Sequence, residues 1–503
     1  MVTILSISFF VMPILAMSSY FLLGRRRVII ATQFGTGLMG IGFIASFIAL
    51  TYSLEDPISR SNSMLFNANT LSLLLTTLIL FISFIIHRFS LRYMHGDKIY
   101  RRYFFNLSAI TLSTISMALA DNLVLFWVSW TASNVFLASL MIHKAQWKAA
   151  YNSGVLAFKT HLLGSLFLLT AIFFLYTFTG SFSIQKVVYD NGISSSLTIL
   201  FSLGLIILTA MTQSAIWPFH RWLLSSLNSP TPVSALMHAG LVNGGGFLIV
   251  KFSPLLTTQR DLLTVLFIFG ALTALLGTVW KLMQWNIKSM LACSTMAQMG
   301  FMMMQCGLGL FSAAITHLCW HGLFKSYLFL NSGSAIHQQQ IMNSPHPTVK
   351  SLLTSFVGGF IGMYGFALMT GKPILSTQTT TFLLGFVFMT GTQLMLSIIA
   401  EERSFKRITL ALILVFISGN FYGTSIHVIE MLLPNLMTDD QQQLSILQLS
   451  TLVVFFSLWI LFSLGIYQKI TDKKLWDWFY IKMLNASMPH PKTITANRNT
   501  YNY

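Results

Sequence analysis

His317, His321 and Lys325 recur every four residues in the otherwise apolar run HLCWHGLFKSYLFL. On a helix that spacing puts the three side chains on one face. Imidazole titrates near neutrality and can pass a proton between its two nitrogens, so a histidine–histidine–lysine stripe has the chemistry of a proton relay. The same groups would also serve to hydrogen-bond between helices and hold a bundle together. Other basic side chains stand in or beside apolar stretches, namely Lys159, His161, His238, Lys288 and His427. Carboxylates are scarce. Of only 13 acidic residues, Glu430 alone lies well within an apolar run, with Asp121 at the end of another. His427 and Glu430, three apart, form either a second titratable pair or a structural ion pair near the outer end of their helix.

These groups draw their interest from what surrounds them. The chain has 503 residues, of which 54% are hydrophobic and 9% charged, with mean hydropathy +0.70. A soluble domain carries about 25% charged residues. Apolar runs of membrane-spanning length recur near 2–23, 29–52, 69–87, 103–120, 123–142, 154–178, 196–216, 232–250, 262–280, 289–308, 311–332, 351–371, 380–400, 408–433 and 447–468. The expected fold is an all-α polytopic membrane protein of about 13–15 transmembrane helices. An ionisable group at that depth is costly and faces the protein interior or a wet cavity, which makes each one a functional candidate.

Charge supports the threading. With the N-terminus outside, cytoplasmic loops collect 23 of the 30 Lys and Arg residues, including Arg25–Arg27, Arg88, Arg92, Lys98, Arg101, Arg102, Lys469, Lys473 and Lys474. The opposite loops collect five (Arg60, Lys186, Lys251, Arg260, Lys372), and Lys159 and Lys325 stay inside spans. This is the positive-inside pattern. It places the N-terminus in the periplasm and the C-terminus in the cytoplasm of a bacterial inner membrane. It also accounts for the net charge of +17 without nucleic acid, since the basic residues share no soluble face. Arg25–Arg27 follow the first apolar run instead of preceding it, so an uncleaved first helix is expected. The LWDWFY segment near the C-terminus, with its lysines, suits a helix lying at the membrane surface.

Several chemistries are excluded. Cys293, Cys306 and Cys319 sit in apolar runs without CxxC spacing, so no metal or other cofactor is expected in this chain. No nucleophile–base constellation appears. The string Gly35, Gly37, Gly40 has nucleotide-loop spacing but no preceding strand, and reads as close helix packing. Met296, Met299, Met302, Met303 and Met304 read as lipid-facing or core filler. Pro218, Pro230 and Pro232 interrupt the run after residue 196. Within a bilayer such breaks survive only where protein or a polar cavity satisfies the freed carbonyls, and broken helices mark ion-translocating folds. Lys372–Pro373 is a candidate for a corresponding break in the second half, as inverted repeats would require.

Particular blocks carry a resemblance. Trp217–Gly246 (WPFHRWLLSSLNSPTPVSALMHAGLVNGGG), Asn286–Gly300 (NIKSMLACSTMAQMG) and the HLCWHGLFKSYLFLNSGS run from His317 resemble the antiporter-like, proton-translocating subunits of respiratory complex I and of Mrp antiporters. RYMHGDKIYRRYFF from Arg92 and ADNLVLFW around Asp121 resemble the L-type subunit in particular. The similarity covers roughly residues 65–340. It implies a polar axis through His238, Lys288, His317, His321 and Lys325; the polar groups in or beside the apolar runs add Lys159, His161, Lys372, His427 and Glu430 as lesser candidates. It also suggests a division into N-terminal helices (1–102), an ion-translocating core (103–433), and a last helix with a cytoplasmic tail (434–503). Departures are as informative. The family's fifth-helix glutamate is replaced by Thr131 after Trp130, its seventh-helix lysine by Gln213, and its sixth-helix aspartate by Ser165 after Gly164. The chain also stops soon after its last expected span, whereas the L-type subunit runs on into a long lateral helix.

A shortened L-like chain without those carboxylates resembles the DabB family, the membrane subunits of a two-component inorganic-carbon uptake system. Its partner there, DabA, is a zinc protein similar to β-carbonic anhydrases. The resemblance implies that H⁺ or Na⁺ passes down its gradient through this chain and drives one-way CO₂ hydration in the partner. Zinc would generate the nucleophile there, while the ion gradient supplies the direction. One rival is a subunit of a redox-driven pump or an Mrp-type antiporter, which calls for the missing carboxylates. Another is a non-conducting anchor for a soluble partner, which leaves the polar stripe without a task.

Overall fold

A computed structural model describes residues 2–23, 27–55, 65–189, 196–333, 347–374, 376–399, 404–436, 443–465 and 473–494. Arg25, Arg26, Arg60 and Lys469 lie outside the described residues. The chain runs through α1 (Val2–Leu22), α2 (Val28–Glu55), α3 (Thr70–Tyr93), α4 (Tyr100–Leu119), α5 (Leu123–Met141), α6 (Lys148–Thr179) and α7 (Leu197–Gln213). There follow α8 (Thr231–Ala239), α9 (Gly244–Lys251), α10 (Arg260–Leu282), α11 (Ile287–Gly307) and α12 (Phe311–Leu330). The remainder comprises α13 (Val349–Thr370), α14 (Thr379–Ile399), α15 (Phe405–Leu432), α16 (Ile446–Ser463) and α17 (Lys473–Ser487).

Ten helical stretches among the described residues are long and apolar enough to cross a membrane, α8 and α9 counted together. The chain is a multi-pass membrane protein. Helices α4, α11 and α12 are of the same length but more polar, and the last two carry the basic groups singled out above. The expected spans match these helices within a few residues, with one exception: the run 232–250 is two helices.

Local sequence explains the boundaries. Asn69, Asn122, Ser196, Thr348, Ser404 and Ser445 each cap a helix, the side chain accepting from the second or third backbone N–H. Helices α6 and α13 stop at Gly180 and Gly371, whose φ of 66° and 63° is left-handed and suits glycine.

The chain divides into two units. The first comprises Met1–Met304, His317–Gly333 and Ser487–Tyr503; the second comprises Gln305–Thr316 and Ser334–Ala486. They follow packing and do not coincide with the expected division 1–102, 103–433, 434–503. In the first unit α10 and α11 meet along small residues. A Cβ on Gly277 would lie 2.6 Å from the Ala297 backbone nitrogen, and one on Gly270 2.7 Å from that of Met304. Without a hydrophobic drive between helices in lipid, such close backbone approach supplies the contact area. Of the three glycines spaced like a nucleotide loop, Gly35 packs on Tyr20 and Gly40 on Phe84, while Gly37 faces open space. The five methionines are all fully buried, which makes them core.

Segments at one face of the first unit are tied together by the tail. Asn152 donates to the Lys492 carbonyl (2.7 Å) and Asn228 to that of Thr493 (2.8 Å). The His490 N–H donates to Ser225 Oγ (3.0 Å), and Gln284 to Ser487 Oγ (2.9 Å). All four partners were expected on one side of the membrane. At the other ends of these helices, Asp121 accepts from Ser183 Oγ (2.6 Å) and the Gln185 N–H (3.0 Å). In the second unit α13 packs on both α14 and α15, with Gly362 against Gly419 and Gly359 against Thr392.

Enlarging the α10–α11 seam should therefore be harmful. Gly277→Leu is expected to destabilise the chain by about 2 kcal/mol through overpacking, seen as a lower melting temperature in detergent. Gly37→Ala, at open space, should leave that temperature unchanged or slightly raised.

Candidate functional site

The site is built around the interruption between α8 and α9. Helix α8 begins after Pro230, with Pro232 in its first turn, and stops at Ala239. Leu241–Asn243 form a single 3₁₀ turn before α9 resumes at Gly244. Three carbonyls at the break take side-chain donors. Asn243 Nδ2 donates to Ala239 O (2.8 Å), Gln213 Nε2 to Leu241 O (3.1 Å) and Ser214 Oγ to Val242 O (2.7 Å). The last two donors stand where α7 itself ends, next to Ala215 with φ 52°. Glycines allow the approach: a Cβ on Gly245 would strike Ala210 O and Ser214 Oγ, and one on Gly246 would strike Met302.

Beside the break runs a line of basic groups. Lys288 Nζ donates to Ser229 O (3.0 Å). His238 Nδ1 bonds Thr295 Oγ1 (3.1 Å), and its ring stacks on Phe329 at 4.3 Å. Thr295 Oγ1 donates in turn to Leu291 O (3.0 Å), the same carbonyl that receives Lys325 Nζ (3.2 Å). His238 and Lys325 are thus joined through one backbone oxygen. Lys325 is 1% exposed, and no carboxylate oxygen lies within 4 Å of it among the described residues. His238 lies within electrostatic reach of Lys325 and Lys288, and His321 of Lys325, His238 and His317. The His317 and His321 rings stack at 6.0 Å. His321 Nδ1 donates to Asn243 Oδ1 (3.2 Å), which fixes its tautomer and leaves Nε2 a bare acceptor. That Nε2 and His317 Nε2 are buried without a hydrogen-bond partner among the described residues.

The structure therefore brings together His238, Lys288, His317, His321 and Lys325. It separates the others. Lys159 is exposed on the outside of α6, away from the line. His161 is buried on the inner side of α6 against Trp222. Lys372, His427 and Glu430 belong to the second unit, where Glu430 pairs with Lys372 (2.6 Å) and His427 is exposed. The pairing of His427 with Glu430 is thus corrected: three residues apart on α15, they diverge, one to the surface and one to the lysine. Lys372–Pro373 is not a helix break either. It follows the Gly371 cap of α13, and α13, α14 and α15 run continuously.

Some participants escaped the sequence reading. The break itself falls within an expected continuous span, its signals being Gly240 and the Gly244–Gly246 run. Asn243 and Gln213 act as carbonyl caps. Lys251, assigned to an outer loop, ends α9 and turns inward. Its Nζ donates to Ala120 O (2.7 Å) and lies 5.4 Å from the rings of both Phe126 and Phe247. His87 is fully buried between Ser83 O (2.8 Å) and Ser108 Oγ (3.1 Å).

Asn243 holds both the break and His321. Asn243→Ala strips a partner from two buried groups and is expected to cost about 2 kcal/mol, against about 1 kcal/mol for Ser214→Ala, measured by thermal unfolding in detergent.

Comparison with known proteins agrees with this architecture. The family described as NADH:quinone oxidoreductase/Mrp antiporter, TM matches residues 120–350, and that of the NADH-ubiquinone oxidoreductase (complex I) chain 5 N-terminus matches residues 59–104. The probable inorganic carbon transporter subunit DabB of Bacillus anthracis is 34% identical over 366 residues, 72% of this chain and 70% of that one. Its namesake in Bacillus subtilis is 35% identical over 349 residues, 67% and 66% of the two chains. NADH-ubiquinone oxidoreductase chain 5 of Schizophyllum commune is 36% identical over 294 residues, 58% and 43% of the two chains. The solved Mrp complex from Dietzia sp. DQ12-45-1b matches with a TM-score of 0.59 at 18% identity, over 96% of this chain and 59% of that one, a likeness of fold. Hydropathy, a broken helix beside a basic line, and these relatives converge: the chain is an antiporter-like transporter subunit, and it belongs to the DabB family.

Proposed function

We propose that this chain carries protons down their gradient along Lys288, His238, Lys325, His321 and His317, and that the flow drives inorganic-carbon uptake by a DabA-like partner. The observation that supports it most is the buried Lys325 amine, held by a lone carbonyl and flanked by histidines, with no carboxylate in contact among the described residues. A structural lysine at that depth would be paired. Na⁺ asks for oxygen ligands, whereas this line offers nitrogens that bind and release H⁺. Thr131 and Gln213, where a pump of this family would carry charge, are neutral, and Gln213 is occupied by Asn134 and Leu241 O. That favours a passive path over a redox-driven one.

The DabB relatives carry inorganic carbon transport in their names. The matched stretch spans 52–70% of the lengths of the Bacillus anthracis and Halothiobacillus neapolitanus proteins. In this reading the partner supplies carbonic-anhydrase-like zinc chemistry, and this chain supplies only the proton path. The chain lies in a bacterial inner membrane with its N-terminus periplasmic. Its tail and basic loops face the cytoplasm, where the partner docks.

The test is proton flux and bicarbonate accumulation with the complex reconstituted in vesicles. Lys325→Ala and His321→Ala should each lower both by tenfold or more, while Lys159→Ala and His427→Ala, exposed and off the line, should leave both unchanged. Assembled Lys325→Ala and His321→Ala complexes with undiminished uptake would make the chain an anchor. A tagged chain purified in mild detergent should bring down one large zinc protein. A set of small hydrophobic subunits in its place would return the chain to a pump.

A further inference from the structure

Three helix ends meet in the first unit away from the break: α1 stops at Leu22, α2 begins at Val28 and α4 begins at Tyr100. Between them opens a cleft of about 860 Å³. One wall is apolar, from Phe21 of α1 and Val28 and Ile29 of α2, and the other carries Lys98, Arg101 and Arg102.

The three cations lack a counter-charge. Asp97, the carboxylate nearest them in sequence, is spent elsewhere, its Oδ2 on His143 Nε2 (3.1 Å) and its Oδ1 on the Ile99 N–H (2.9 Å). No carboxylate oxygen lies within 4 Å of Lys98, Arg101 or Arg102 among the described residues. Their position adds a second cost. Arg101 and Arg102 stand in the first turn of α4, which holds no acidic residue and whose N-cap, Ile99, has no side-chain acceptor. A helix N-terminus is electropositive, so cations there are unfavourable and an anion is favoured. Residues serving only as a topology signal have no need to converge on one cleft.

The apolar wall narrows the choice of anion. Arg101 reaches from α4 to α1, its guanidinium 4.4 Å over the Phe21 ring, and that ring meets Phe105 edge-on at 5.4 Å. Phe21, Leu22, Ile29 and Ile30 are exposed at the ends of membrane helices, where lipid covers them. Free phosphate would fill little of the cleft and leave its apolar wall bare. A diacyl lipid with an acidic head group meets both walls. Its phosphate offers oxygen pairs to guanidinium forks, and its chains suit the phenylalanine and isoleucine side. Basic pockets between membrane helices take lipid head groups by this combination.

We propose that the cleft binds an anionic phospholipid, its phosphate held by Lys98, Arg101 and Arg102 and its acyl chains laid along Phe21 and Ile29. The bound phosphate supplies the negative charge that the first turn of α4 lacks. The lipid thereby fastens α1 and α2 to α4. The site shares no residue with the basic line, and its occupancy is independent of proton flow.

Lipid titration of the full chain in mild detergent tests it, read by native mass spectrometry and by melting temperature. Phosphatidylglycerol should bind one molecule per chain and raise the melting temperature, whereas phosphatidylethanolamine and inorganic phosphate should do neither. Lys98→Gln/Arg102→Gln removes two exposed charges. It should weaken phosphatidylglycerol binding about 25-fold, at about fivefold for each Lys or Arg. Without lipid this variant should melt no lower than wild type, because it relieves the helix end, whereas a merely structural role predicts a loss. Lys148→Gln, exposed in the first turn of α6 and outside the cleft, should keep full affinity. Undiminished phosphatidylglycerol binding in the double variant, or an equal loss in Lys148→Gln, would overturn the site. Equal binding of phosphatidylethanolamine, or equal stabilisation by inorganic phosphate, would overturn the anionic lipid as its occupant.

Discussion

Everything at the centre of the first unit depends on how a broken helix keeps its carbonyls bonded where water is scarce. Ending α8 at Ala239 exposes oxygens that cost several kcal/mol each if left bare in hydrocarbon. Their donors are Asn243, Gln213 and Ser214, and supplying them imposes the rest. Helix α7 must finish at Gln213 so that two of the donors reach across. The strand of backbone opposite must be glycine so that it can come close. Asn243, once its amide is committed to Ala239, presents its oxygen to His321 in one orientation only. The break and the basic line are one construction.

That line has an electrostatic limit built in. Two unit charges 6 Å apart repel by about 3 kcal/mol at an effective dielectric constant of 20. The His317 and His321 rings are 6.0 Å apart and have no carboxylate to offset them among the described residues. A row of neighbouring bases therefore carries a single positive charge more readily than two, and arrival of a second favours departure of the first. The second unit is built on the opposite plan. There Lys372 and Glu430 neutralise each other, at 12% and 11% side-chain exposure.

Much of this was legible in the residues. Hydropathy fixed the helices to within a few positions because length and apolarity are local properties. The His317–His321–Lys325 stripe was equally plain, since helical periodicity alone puts it on one face. What escaped depends on partners distant in sequence. The break at Gly240 hides in a run long and apolar enough to be a single span, since two of its three donors, Gln213 and Ser214, come from another segment. Lys251 looked like a loop residue because nothing near it in sequence shows that its amine reaches the end of α4. Glu430 sat beside His427 on paper, yet α15 turns them apart and the true partner is 58 residues away.

The tail carries a further consequence, for biogenesis. Its hydrogen bonds join Lys492 to Asn152 and Thr493 to Asn228, across 340 and 265 residues. Synthesis proceeds from the N-terminus, so neither bond can form before helices α1 to α17 have been made. Until then the segments at Asn152, Ser225, Asn228 and Gln284 go without the tail. The tail thus acts as a clasp that can close only after helices α1 to α17 have all been synthesised.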